Sequence, residues 1–167
     1  MKEPCANPDL LGGTCSMPDQ HHGPCTSQPV VQITGPGTTP TRSHRTDAGF
    51  DLYVHSDTII QPHEFADVDC GISISFPKGY WGRIVGRSST LRTRSLLVIE
   101  GIIDEGYRGA LFAGVWNLKQ EAVKLEQGDR IAQLVLHETP PTTITMRRVD
   151  QLPPSDRGTS GFGSTGN

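Results

Sequence analysis

From Val30 onward the chain alternates apolar and polar positions in short runs. Residues 68–76 (VDCGISISF) place an apolar side chain on nearly every second position, and 58–60, 83–85, 110–118 and 130–137 carry shorter or looser versions of the pattern. A period of two is that of a strand with one buried face, and Gly, Pro or Asp-rich turns separate the runs. Several short strands at roughly ten-residue spacing predict a β-sandwich, jelly roll or small barrel. One short helix is predicted over 88–95, where Ser and Thr come early and Arg92 and Arg94 late. Residues 121–127 stay ambiguous, because their helix formers compete with the alternation of Val123 and Leu125. Cys70, inside a strand pattern, reads as a small buried hydrophobe.

Composition sharpens the boundaries. All Val and Ile residues lie between Val30 and Val149, while residues 1–29 contain no Val, Ile, Phe, Tyr or Trp. A segment of that kind has little to bury. The expected organisation is a Cys/His/Pro/Gly-rich, weakly structured extension (1–29), one β domain (30–150) and a Gly-rich C-terminal tail (151–167). The 19 Gly and 13 Pro residues exclude long helices. Fifteen basic against 18 acidic side chains leave a net charge of −3, so no general field draws nucleic acid and any phosphate site must be local. No apolar run of roughly eighteen residues and no basic-then-apolar leader is present, so neither a membrane partner nor secretion is expected, and the chain reads as cytoplasmic.

The leading segment contains a repeat, CANPDLLGGTC followed by CSMPDQHHGPC, with Cys5, Cys15 and Cys25 ten apart and His21 and His22 in the second unit. Cys5, Cys15, Cys25 and His21 form a chemically acceptable zinc set. Their spacing argues against it, since zinc modules usually bring ligands in pairs two to four residues apart. An extension with reduced thiols is the favoured reading.

Five segments carry candidate chemistry. DAGFDLY (47–53) sets Asp47 and Asp51 around a glycine turn. GRSST (86–90) offers Arg87 to fork onto phosphate oxygens and Ser88 to donate beside it. GIIDEGYRG (101–109) holds the acidic pair Asp104 and Glu105 in a turn, with Tyr107 and Arg108 beyond. A carboxylate there either orients a water as general base or is a solvated corner. GDRIAQL (128–134) is a turn feeding a strand whose Gln133 is polar in an apolar register. RGTSGFGSTG (157–166) satisfies G-x-G-x-x-G but lacks the preceding strand, following helix and later acidic residue of a dinucleotide fold. What remains is a ribbon of N–H groups and hydroxyls with Arg157 and Phe162, suited to closing over a phosphorylated ligand with an aromatic face.

In this order and spacing the five segments resemble the five motifs of the trimeric dUTP pyrophosphatase (dUTPase) family, over roughly residues 30–167. The resemblance implies an all-β, jelly-roll-like barrel subunit of a homotrimer, with three sites at subunit interfaces, each built from more than one chain. It implies hydrolysis of dUTP to dUMP and pyrophosphate with Mg²⁺ held mainly by the triphosphate and waters. By the same resemblance Asp104 activates the water that attacks the α-phosphorus, and Tyr107 packs on the deoxyribose and leaves no room for a 2′-hydroxyl. Main-chain groups of a tight hairpin over 98–104, including Gly101, read uracil. Arg87, Ser88, Ser89 and Gln133 serve the triphosphate and its metal-bound waters. Arg157, Phe162, Gly163, Ser164 and Thr165 form the closing tail, and Asp51 organises water or an arginine.

Two departures qualify this. The family usually has Gly where this chain has Ser89, a pattern closer to the related dCTP deaminases, and 97–100 (LVIE) is bulkier than the family's usual hairpin. The deaminases carry an essential Glu ten residues after the Asp; here that position is Gly114, which leaves deamination without an evident proton shuttle. A nucleotide-switched binding or regulatory protein of the same fold is the remaining alternative.

Overall fold

The computed structural model describes residues 29–140, 143–156 and 158. The Cys/His repeat, with Cys5, Cys15, Cys25 and His21, and the tail residues Arg157, Phe162, Gly163, Ser164 and Thr165 lie outside the described residues.

Among the described residues ten strands and one short helix follow one another: β1 (Gln32–Thr34), β2 (Gly49–Tyr53), β3 (Thr58–Ile60), β4 (Phe65–Ser75), β5 (Tyr80–Gly86), α1 (Ser88–Arg94), β6 (Leu96–Val98), β7 (Gly101–Ile103), β8 (Ala110–Asn117), β9 (Val123–Leu125) and β10 (Arg130–Glu138). They form two four-stranded antiparallel sheets, β1-β4-β8-β6 and β2-β10-β5-β7, with a two-stranded ribbon β3-β9. The alternation explains why the sheets close on each other. Val68, Cys70, Ile72 and Ile74 of β4 and Leu111, Ala113 and Val115 of β8 point inward from one sheet, and Leu52, Ile84, Ile131 and Leu134 from the other. Each such Val, Leu or Ile side chain contributes about 1.5–3 kcal/mol by leaving water. Burial pushes the Cys70 thiol up to about 12, so it is an inert core group.

The observed elements refine the sequence reading. The run at 68–76 begins three residues earlier, at Phe65, because β8 continues to pair with it as far as Trp116. The ambiguous 121–127 segment is a strand, held by the pairing of Val123, Lys124 and Leu125 with β3. The predicted helix ends at Arg94, where Ser95 turns left-handed (φ 56°) and its N–H caps the Leu91 carbonyl at 3.0 Å. Gly49 is not a turn glycine. It opens β2 in extended conformation, and a Cβ there would sit 3.1 Å from Gln133 Cβ, so close strand approach, not chain reversal, fixes glycine at this position.

Gly71 does require its conformation (φ 67°). It sits where the β4–β8 register breaks between Asp69 and Ser73, and a Cβ would stand 2.6 Å from His55 Nδ1. Its carbonyl accepts the Gly37 N–H at 2.9 Å, which pins the long β1–β2 loop onto the bulge.

Candidate active site

Asp51 is 4% exposed and therefore needs compensation for its charge. Arg87 Nε donates to Oδ1 at 2.8 Å, Arg130 Nη1 to Oδ2 at 3.3 Å and Gln133 Nε2 to Oδ1 at 3.3 Å. The strands dictate this convergence. The β2–β10 register sets Asp51 opposite Gln133, and a bulge between Arg130 and Ala132 inserts an extra residue. Three positions along a regular strand lie on opposite faces; with the bulge, Arg130 and Gln133 share one, while Ile131 and Ala132 are both buried. Arg87, the residue after β5, lies beside them and also donates to Ser89 Oγ at 3.3 Å and to the Arg130 carbonyl at 3.4 Å. Thr90 Oγ1 ties α1 to the bulge through the Ile131 carbonyl at 3.0 Å. Arg94 holds the Asp129 carboxyl below its usual value through a 2.7 Å contact, fixing the turn that feeds β10. Ser88 is exposed at the start of the helix.

The second group lies in the β7–β8 turn. The Tyr107 N–H closes it on the Asp104 carbonyl at 3.0 Å. The acidic pair divides its tasks: Glu105 accepts the Gly79 N–H at 2.9 Å, while Asp104 faces solvent in a recess with Trp81, Ile102, Gly106, Thr139 and Pro140. Trp81 stacks on His137 with ring centroids 4.4 Å apart. Arg108 donates to the carbonyls of Glu105 (2.7 Å) and Tyr107 (2.6 Å), so it braces the turn from within. Tyr107 is 42% exposed and its hydroxyl donates to the Ala110 carbonyl at 2.9 Å.

The 98–104 segment is not a hairpin. β6 pairs with β8 and β7 with β5, so the chain crosses from one sheet to the other at Ile99 and Glu100. In place of a hairpin ladder, the Ile99 N–H donates to the Gly114 carbonyl at 2.8 Å, and the Glu100 carboxylate accepts from the Arg83 guanidinium. Gly101 is half-buried opposite Ile84.

The two groups do not meet within one chain. Arg87 follows the last residue of β5, whereas Ile103 pairs with Gly82 near its start, which places Asp104 beside Trp81. Six residues of strand separate the two levels, about 20 Å at ~3.3 Å per residue. Asp51, Arg87, Ser89 and Gln133 thus gather at one end of the β2-β10-β5-β7 sheet, and Asp104 and Tyr107 at the other.

Neither the part of Arg130 nor that of Glu105 as a structural acceptor is evident from the sequence. Arg130 stands next to Asp129 in a recognised segment, but only the bulge turns it toward Asp51. Among the described residues no cluster of three or more His, Cys, Asp or Glu side chains forms a metal cage. The buried Asp51 is occupied by its cations, and Asp104 is a single exposed carboxylate. That donor set fits Mg²⁺ bound through substrate phosphates and waters. No helix of the described residues is long and apolar enough to cross a membrane.

A family model described as dUTPase matches residues 36–166. The chain is 41% identical to the deoxyuridine 5'-triphosphate nucleotidohydrolase of Tropheryma whipplei over 78% of its own length and 90% of that protein's. It is 37% identical to the Mus musculus protein of the same name over 81% of this chain and 83% of the other. Among solved structures, the dUTPase of Staphylococcus bacteriophage 80alpha with dUPNHPP superposes with a TM-score of 0.76 at 28% identity, covering 83% of this chain and 99% of that one; phage dUTPases are described with it as controlling transfer of virulence genes.

Proposed function

This chain belongs to the dUTPase family, and we propose that it hydrolyses dUTP to dUMP and pyrophosphate at sites shared between copies of itself. The observation that carries the reading is the Asp104–Tyr107 turn, which presents a solvent-facing carboxylate three residues from an aromatic ring fixed by its own hydroxyl.

In this reading Asp104 takes a proton from the water attacking the α-phosphorus in line. Tyr107 lies on the deoxyribose, where its ring bars a 2′-hydroxyl. Arg87, Ser88 and Ser89 hold phosphate oxygens, and Gln133 orients the waters around the triphosphate. Asp51 acts through Arg87, aiming the guanidinium that would meet the anion. Gly101 and the crossing at 98–104 supply main-chain groups for uracil. Arg157, Phe162, Gly163, Ser164 and Thr165 are assigned by family resemblance to the phosphates and the uracil face. Mg²⁺ bound to the triphosphate would supply neutralising charge to the phosphates.

A separation of about 20 Å between Asp104 and Arg87 supports assembly of each site from more than one chain. The outer face of β4, β8 and β6 supports it further. Phe65, Trp116 and Leu97 form a continuous cross-strand row, each 39–46% exposed, with Phe112 two positions along β8 from Gly114. An apolar row of this kind suits a protein interface. The proposed assembly is the homotrimer.

Deamination of dCTP is disfavoured by packing as well as by residue type. A Cβ at Gly114 would lie 3.1 Å from the Phe65 ring and 3.6 Å from Asp67 Oδ1, so a glutamate there would press on an aromatic side chain and stand beside a second carboxylate. Pyrophosphate release measured with dUTP, UTP, dTTP and dCTP tests the proposal. Turnover is expected with dUTP, far less with the others, and none of the dCTP should become dUTP. Stoichiometric dUTP binding without turnover would favour the nucleotide-switched regulator instead, and deaminated product the relative's chemistry.

A further inference from the structure

Tyr107 does not extend from its turn; it folds back along its own chain. Its hydroxyl reaches the Ala110 carbonyl three residues on at 2.9 Å, and to do so the ring passes directly over residue 109. A Cβ on Gly109 would stand 2.6 Å from Tyr107 Cζ and 3.1 Å from Cε2, and would meet the hydroxyl oxygen closer still. Carbon atoms in contact need about 3.5–4.0 Å. The Gly109 backbone has no left-handed φ, so conformational freedom is not what this position demands. What it demands is the absence of a side chain.

We infer that Gly109 is a positioning residue for sugar selection: its bare backbone is the bed on which the Tyr107 ring lies, and any side chain there lifts the ring from the pose that bars a 2′-hydroxyl. The inference rests on the reading of Tyr107 as the deoxyribose-packing residue. The colliding atoms are the far end of a half-exposed side chain, not backbone, so alanine costs the fold little while it moves the ring. Arg108 contributes through the main chain. By holding the Glu105 and Tyr107 carbonyls it keeps the turn closed, which leaves the ring, not the main chain, to give way.

The test compares wild type, Gly109→Ala, Tyr107→Ala and the double variant by kcat/KM for dUTP and for UTP, with thermal melts of each. Steric exclusion in a pocket that makes no bond to the excluded group is worth roughly tenfold or more. Gly109→Ala should therefore lower the dUTP-to-UTP ratio by about tenfold, mainly through better relative use of UTP. The double variant should match Tyr107→Ala alone, because a displaced ring and a missing ring leave the same space. If Gly109→Ala slows both substrates equally while Tyr107→Ala lowers the ratio, Gly109 is merely structural and the inference is overturned. If Tyr107→Ala leaves the ratio unchanged, the sugar reading fails and the role of Gly109 falls with it. Should Gly109→Ala fail to fold, the double variant decides: folding restored on removal of the ring assigns the collision to Tyr107, and failure of both assigns it to the backbone and overturns the inference.

Discussion

Asp104→Asn is expected to lower kcat for dUTP by about 10²- to 10⁴-fold or more, while leaving dUTP binding within about tenfold. The amide keeps the size and part of the hydrogen bonding of the carboxylate but cannot accept the proton of the attacking water. The structure suits this test, because Asp104 is exposed and the turn around it is closed by main-chain groups and by Glu105 and Arg108, none of which the substitution touches. The melt should stay unchanged. Single-turnover kinetics with equilibrium binding of a non-hydrolysable dUTP analogue separates the two effects, and a variant that kept most of its kcat would remove Asp104 from the chemistry.

The second large effect is expected at the other end of the sheet. Asp51→Ala should destabilise the protein by about 3 kcal/mol and depress kcat/KM for dUTP strongly. Removing one partner of a buried ion pair leaves the others uncompensated, and here two guanidiniums and an amide converge on the lost carboxylate. Arg130 is half exposed and recovers water, which keeps the cost toward the lower end of the range; Arg87 is only 20% exposed and loses its aim. A melt reduced by roughly 6–12 °C is the corresponding signature. Lost activity with an unchanged melt would mean that Asp51 meets the substrate itself and does not act through Arg87.

The strands were legible where one face is buried, because a period of two is written into residues such as Val68, Cys70, Ile72 and Ile74. The sheet partners were not. Nothing local says that Val98 pairs toward β8 while Gly101 pairs toward β5, and this is why a crossing between sheets read as a hairpin. The site residues were legible as motifs. Their geometry was hidden by the β10 bulge, a single inserted residue that brings Arg130 to the face of Gln133 and on to Asp51. Gly109 was legible as a letter of its motif, but its reason lies in a ring two residues earlier that turns back over it.

The central claim, that each site joins Asp104 of one copy to Arg87 of another, is tested most directly by subunit mixing. Asp104→Asn and Arg87→Ala are each expected to be nearly inactive alone. When the two are mixed, unfolded together and refolded, a hybrid assembly contains some interfaces with both residues intact, about a quarter of them for random one-to-one mixing of copies in a ring. Recovery of roughly that fraction of wild-type dUTP turnover is the predicted result. A mixture no more active than its two components, in an assembly shown by mass to contain both chains, would contradict a site shared between subunits.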